Sequence, residues 1–149
     1  MAISQAMCTS FKVELLDGIH AFGTTVVRGA TTADTFKMAL YTSSASLGAA
    51  TTAYTASGET SGTGYVATGQ DLTVSEVPQA EGTTAILNFS TETWTTASIT
   101  AAGALIYNDD QSDKAVAVLD FGGDKTSTAG DFSVVFPTFD ATNAIIRIA

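Results

Sequence analysis

The sequence predicts a mainly β protein: a single-domain antiparallel β-sandwich or jelly roll over residues 1–149, with a short N-terminal helix. Three observations carry that expectation. Alternating apolar runs recur about every eight to twelve residues, with turn residues between them. Threonine makes up about a sixth of the chain, and its β-branched side chain suits a pleated, half-exposed surface. Strands do not alternate with long helical patterns, which argues against a parallel α/β sheet. At 149 residues the chain has the length of one domain and can bury about 70% of its extended surface.

Taken in order, Ile3, Met7, Phe11, Leu15 and Ile19 recur every four residues, with Gly18 placed to end a helix. That spacing predicts a helix over about residues 3–17, within an N-terminal segment 1–17. The alternation of Phe11, Val13 and Leu15 makes a strand the rival. "TFKMALYT" sets Phe36, Met38 and Leu40 against Lys37, Ala39 and Tyr41, a strand with one well-buried face. Residues 43–64, "SSASLGAATTAYTASGETSGTG", are too rich in small and polar residues for core and read as a long polar loop. Loops of that length are usually functional or packed on a partner. "GYVATGQDLTVSEV" predicts a strand, a turn or bulge at Gly69, and a second strand ending at Pro78. "EGTTAILNFSTETWTTASITAAGALIYN" holds two or three more. "KAVAVLDFG", "GDFSVVFP" and "NAIIRIA" complete the series.

Charge narrows the function classes. Six basic residues face fifteen acids, a net charge of −9. Lys12, Arg28, Lys37, Lys114, Lys125 and Arg147 are scattered and form no stripe. Nucleic acids and anionic membranes both need clustered cations, so neither is an expected partner. Cys8 is alone, which precludes an intrachain disulfide and fits a small buried hydrophobe. "MAISQAMCTSF" lacks a basic n-region and a long apolar core, so no signal peptide is expected.

Five acids fall in "ALIYNDDQSDKAVAVLDFGGD", residues 104–124: Asp109, Asp110, Asp113, Asp120 and Asp124. An EF-hand register starting at Asp109 puts Lys114 where glycine belongs and Asp120 where glutamate belongs, so it fails. The same residues lie between two apolar runs, where Asn, Asp and Ser are turn formers. "LDFGGDKTSTAGDF" reads as a second hairpin, with Gly122 and Gly123 supplying permissive backbone. No helix follows these glycines to make a phosphate cradle.

No nucleophile elbow, zinc-binding helix motif or cysteine pair is present. His20 beside the predicted helix end reads as structural. Glu59, Glu76, Glu81 and Glu92 sit in expected loops or exposed edges, although any two acids could converge as a carboxylate pair. The chain is therefore expected to be non-enzymatic, with no catalytic, metal or cofactor residues assigned. Trp94 is either a core anchor or an exposed recognition residue. Tyr41, Tyr54 and Tyr65 flank the polar segment, a pattern compatible with a contact surface.

"SFKVELLDGIHAF", "TFKMALYTSSASLGAATTAYTASGETSGTGY", "ITAAGALIYN…KAVAVLDFG" and the closing "FPTFDATNAIIRIA" together resemble a family of small virion structural proteins of tailed bacteriophages. The resemblance covers nearly the whole chain in order. Members often carry a basic residue before the glycine of "GALIYN", where this chain has Ala102. The resemblance implies a virion part, assembled in the bacterial host cytoplasm, without a cofactor. The expected role is a capsid decoration or cement protein on the capsid exterior, bound to the major capsid protein as a dimer or trimer. The alternative is a tail or baseplate component with a receptor- or sugar-binding β-sandwich. Partner contacts are expected in the first ten residues and in the 43–64 loop, with Ile3, Met7, Phe11, Tyr41, Tyr54, Tyr65 and Trp94 as the contact residues.

Overall fold

The computed structural model describes residues 2–16, 18–23 and 33–149, without the side chains of residues 12–14, 16 and 77. Arg28 and the side chains of Lys12 and Val13 therefore lie outside the described residues. The chain is mainly β, its paired strands are antiparallel, and a short helix lies near the N-terminus. The elements are β1 (Ala6–Met7), α1 (Thr9–Leu16), β2 (Phe36–Tyr41), β3 (Gln70–Leu72) and β4 (Val74–Glu81). They continue with β5 (Thr84–Phe89), β6 (Glu92–Asn108), β7 (Lys114–Val134) and β8 (Ile146–Ile148). One sheet has the order β1-β7-β6-β2-β3 and the other β4-β5-β8.

One apolar cluster joins the two sheets. Phe36 on β2 lies 6.3 Å from Phe89 on β5, and Phe22 stacks on Phe36 at 4.2 Å. Burying such rings contributes about 2–3 kcal/mol each, which makes this cluster a principal source of fold stability. β2 is buried on both faces, not one: Phe36, Met38, Ala39, Leu40 and Tyr41 are all core, and Lys37 is half-buried. The reason is the 43–64 segment, which covers the side that the alternation left for solvent.

That segment contains more core than its composition suggests. Ala45, Leu47 and Thr60 are buried within it. Its backbone makes isolated bridges from Leu47 to Ile3, Ala53 to Lys114, Glu59 to Tyr41 and Thr63 to Ser98. Beyond the short β3, the Thr42 and Thr60 amides donate to Gly58 O at 2.9 Å and Leu40 O at 2.8 Å. The segment thus acts as an irregular extra strand on the open edge of β2, where its backbone groups find partners.

Several sequence-based boundaries shift. The helix starts at Thr9, not residue 3, while Gly18 takes the left-handed φ of 69° expected where a helix ends. Ile3 and Met7 are extended because other segments offer backbone partners: Ile3 bridges to Leu47, Ala6 pairs with Val118 and Met7 with Ala117. Residues 65–69 form a turn region and not a strand. Pro78 lies inside β4, beside a register shift between Glu76 and Gln79; this is a bulged edge strand, where proline is tolerated. "KAVAVLDFG" and "GDFSVVFP" are one strand, β7, because the expected second hairpin is a bulge. Gly103 pairs with Asp120 and Ala101 with Lys125, so Phe121 to Asp124 oppose Ala102 alone. Bulges curl the β6–β7 ribbon until Phe121 and Phe132, eleven positions apart, lie 6.2 Å from each other. A straight strand would separate them by about 36 Å.

Two glycines with positive φ make a clean comparison. Gly69, at φ 77°, lies where a Cβ would collide with the Met38 carbonyl oxygen, whereas Gly82, at φ 61°, has open space. Gly82→Ala is expected to cost about 1 kcal/mol in urea unfolding, from backbone strain alone. Gly69→Ala adds a backbone clash at the β2–β3 junction and is expected to cost clearly more. Equal losses would show that the contact at Gly69 is not enforced.

Candidate functional site

The chain has four tyrosines, and the fold gathers all of them near one acid, Glu59. The bridge between Tyr41 and Glu59 fixes the acid against β2. Tyr54 Oη donates to Glu59 Oε2 at 2.6 Å, and Tyr65 Oη donates to Oε1 at 2.7 Å. The Thr68 amide also donates to Oε1, at 2.7 Å. Tyr65 Oη accepts in turn from the Leu40 amide at 3.0 Å. Tyr41 Oη donates to Thr55 O and Tyr107 Oη to Thr68 O, both at 2.7 Å. The Tyr54 and Tyr107 rings are 5.1 Å apart.

Burial, the largest cause, holds the Tyr41, Tyr65 and Tyr107 phenols well above the ordinary tyrosine value. Tyr54 is pushed up to about 12, first by burial and then by its hydrogen bond to Glu59. The phenols are therefore neutral donors at physiological pH, and both carboxylate oxygens are occupied. The arrangement clamps a polar loop to a sheet through charge-assisted hydrogen bonds.

The seven predicted contact residues fall into three groups. Tyr41, Tyr54 and Tyr65 meet at Glu59, with Trp94 beside Tyr65 at 6.1 Å. Ile3 and Met7 are half-buried on the β7 side, where Ile3 packs over Gly103. Phe11 is buried elsewhere, with His20 edge-on at 4.9 Å. Phe11, Tyr41 and Trp94 are at most 1% exposed, so their reading as contact residues is corrected to core. Gln70, with its amide oxygen toward the indole, accepts from Trp94 Nε1 at 2.8 Å and donates to Glu92 Oε1 at 2.7 Å. Burial, ahead of nearby Asp71, raises the Glu92 carboxyl above the usual range.

The two expected contact segments also bond each other and their own sheet. Ser4 and Leu47 amides donate to Leu47 O and Ala2 O at 3.0 and 3.3 Å. The Cys8 and Thr9 amides donate to Val116 O at 3.1 Å and Ala49 O at 2.9 Å. Ala102, where the resembled family often has a basic residue, is buried.

The acid-rich stretch is a five-residue turn between Asn108 and Lys114, as expected. Asp109 pairs with Lys37 at 3.4 Å, Asp110 accepts from the Thr35 amide, and Ser112 and Asp113 both take φ 56°. Among the described residues no group of three His, Cys, Asp or Glu side chains is placed to hold a metal. His20 is buried, and Asn108 Nδ2 lies 3.0 Å from its Nδ1 while donating to Asp34 Oδ2 at 2.8 Å. Facing an amide donor, Nδ1 is the acceptor, which puts the ring proton on Nε2.

Glu59 and Tyr107 are the site residues that sequence reasoning missed. The usable signal was the spacing: an acid bracketed by Tyr54 and Tyr65, with Tyr41 before the loop. Two shallow concavities flank the β6–β7 ribbon. One, of about 390 Å³, is lined by hydroxyl side chains and Ile99, including Thr42, Thr60, Ser98, Thr100 and Thr128. The other, of about 610 Å³, has Phe121, Phe132 and Phe136 beside Gln5, Lys125 and Asp131. Comparison with known protein families, with curated proteins and with solved structures finds no match.

Glu59→Ala is expected to lower the urea-unfolding free energy by about 2–4 kcal/mol, since three donors lose a charged acceptor. Glu59→Gln, which keeps an oxygen, is expected to lose less. An unchanged midpoint in both variants would remove the clamp from the stability of the fold. In alkaline solution the unfolded tyrosines ionise near 10.0, whereas Tyr54 in the fold ionises only at about 12. The stability from its neutral phenol is complete below pH 10.0 and is lost as pH rises through about 12. Tyrosinate absorbance is expected to lag the free amino acid and then rise with unfolding; a normal titration of the folded chain would contradict this.

Proposed function

We propose that this chain is a non-enzymatic virion structural protein of a tailed bacteriophage: a capsid decoration protein that binds the outer surface of the major capsid protein and stabilises the head. The motif resemblance described above supports the virion reading. The observation that carries the binding role is the hydroxyl-lined concavity on the β6–β7 ribbon. None of its lining residues is ionisable, in a chain of net charge −9. Burying such a face against another protein desolvates no charge and freezes only short side chains. The two sheets, read as a β-sandwich, supply the rigid body behind it. A cement protein needs this combination, because shell stabilisation comes from contact energy left after association costs.

The tail or baseplate alternative drew on Trp94, as an exposed sugar platform, together with the loop acids. At 1% exposure the indole is not one. The remaining distinction between head and tail is experimental. Purified protein incubated with undecorated heads is expected to co-sediment saturably and to raise their resistance to heat. Thr128→Glu, a change on the exposed ribbon, is expected to weaken that binding without lowering the protein's own melting temperature. Immunogold labelling of intact virions is expected over the head in many copies. Label confined to the tail, or heads that neither bind nor gain heat resistance, would sink the proposal.

A further inference from the structure

We infer that the outer edge of the chain at residues 132–136, the end of β7 and the two residues after it, docks an extended, basic segment of another protein as an added strand. The sheet order ends at β7 here, since β1 pairs only with Ala117 and Val118. Phe132, Ser133 and Val134 pair with Trp94, Thr93 and Glu92 of β6 in unbroken register. Among the described residues, no backbone hydrogen bond reaches 132–136 from the other side. Open edges are usually blocked by proline, charge or a bulge. The β4 strand of the other sheet has all three: Pro78, exposed Glu76 and Glu81, and two register shifts. Residues 132–136, Phe-Ser-Val-Val-Phe, have none of them.

The 610 Å³ concavity lies along this edge, because every residue from 131 to 137 lines it. Successive strand residues point to opposite faces, so a hollow that touches all of them opens on the strand's edge and not on one face. Phe121 and Ile145 line it too, and with Val135, 73% exposed, they set an apolar wall beside the unpaired backbone. Strand addition uses this combination: main-chain bonds supply affinity, and a hollow for alternate side chains supplies specificity. Charge then selects the segment. The exposed charges on this half of β7 are Asp120, Asp124 and Asp131 against Lys125, in a chain of net charge −9. An acidic segment, or a second copy of this chain, is repelled at long range, whereas one carrying lysine or arginine is drawn in.

The inference is independent of the capsid reading and is tested on the free protein with a displayed library of random heptapeptides. Selection is expected to enrich sequences that alternate apolar with polar residues, carry Lys or Arg, and lack central proline. A synthetic peptide of the enriched sequence should protect amides within 132–136 from hydrogen exchange. The Val135 amide has no partner, so Val135→Pro should leave the melting temperature unchanged and weaken that peptide about tenfold or more. Asp131→Lys should weaken it about threefold and flatten its salt dependence. Circular dichroism checks that both variants keep their fold. No enrichment, enrichment of acidic peptides, or a peptide indifferent to Val135→Pro would overturn the inference. So would binding that leaves these amides unprotected, as a hollow for small apolar molecules would show. Protection of the same amides by self-association of the free protein would assign the edge to a second copy instead.

Discussion

A single carboxylate, that of Glu59, takes three hydrogen bonds from Tyr54, Tyr65 and the Thr68 amide. The segment it anchors consists mainly of Ser, Thr, Ala and Gly, which bury little apolar area. Fixing each such residue costs about 1–2 kcal/mol of backbone entropy. Apolar packing at Ala45 and Leu47 cannot offset that over some twenty residues. The rest comes from backbone pairing with β2, β6 and β7 and from the charged acceptor at the centre. The N-terminal segment depends on it in turn, since Ala2, Ser4 and Thr9 bond to Leu47 and Ala49 of the same loop.

The polar residues singled out in the sequence serve the fold. The acids at 109–113 turn the chain, and His20 lies among Phe11, Phe22 and Phe36. What reaches solvent on the β6–β7 ribbon includes many short hydroxyl side chains, with paired Thr93–Ser133 at 2.8 Å and Thr100–Thr126 at 2.8 Å, beside the exposed Asp120, Asp124, Lys125 and Asp131. A surface of this kind meets another protein at low entropic and desolvation cost. The proposed role follows from that property.

The fold class was legible in the sequence because apolar runs bounded by turn residues are a local signal, even though β2 and the second half of β6 are buried on both faces and depart from strict alternation. β2, the turn after Asn108 and the end of the helix at Gly18 could be read directly. Boundaries failed where tertiary contacts override local pattern. Ile3 and Met7 share the helical spacing of Phe11, yet Ile3 bridges to Leu47 and Met7 pairs with the β7 edge, and Gly122–Gly123 marks a bulge where composition suggested a hairpin. The tyrosine clamp was half legible. Three of its members were singled out as aromatic residues around a polar loop, but their inward orientation needed the bridge between Tyr41 and Glu59. A long-range pair of that kind leaves no periodic trace.

Native-state amide hydrogen exchange tests the clamp most directly. The amides of Thr42, Thr60 and Ser98 join the loop to β2 and β6 and are expected to be protected to nearly the same degree as amides within β2. In Glu59→Ala the three should lose protection together while the β6–β7 ladder keeps its own. Exchange of these amides at free-loop rates in the native chain would contradict the clamp and leave the loop's order unexplained.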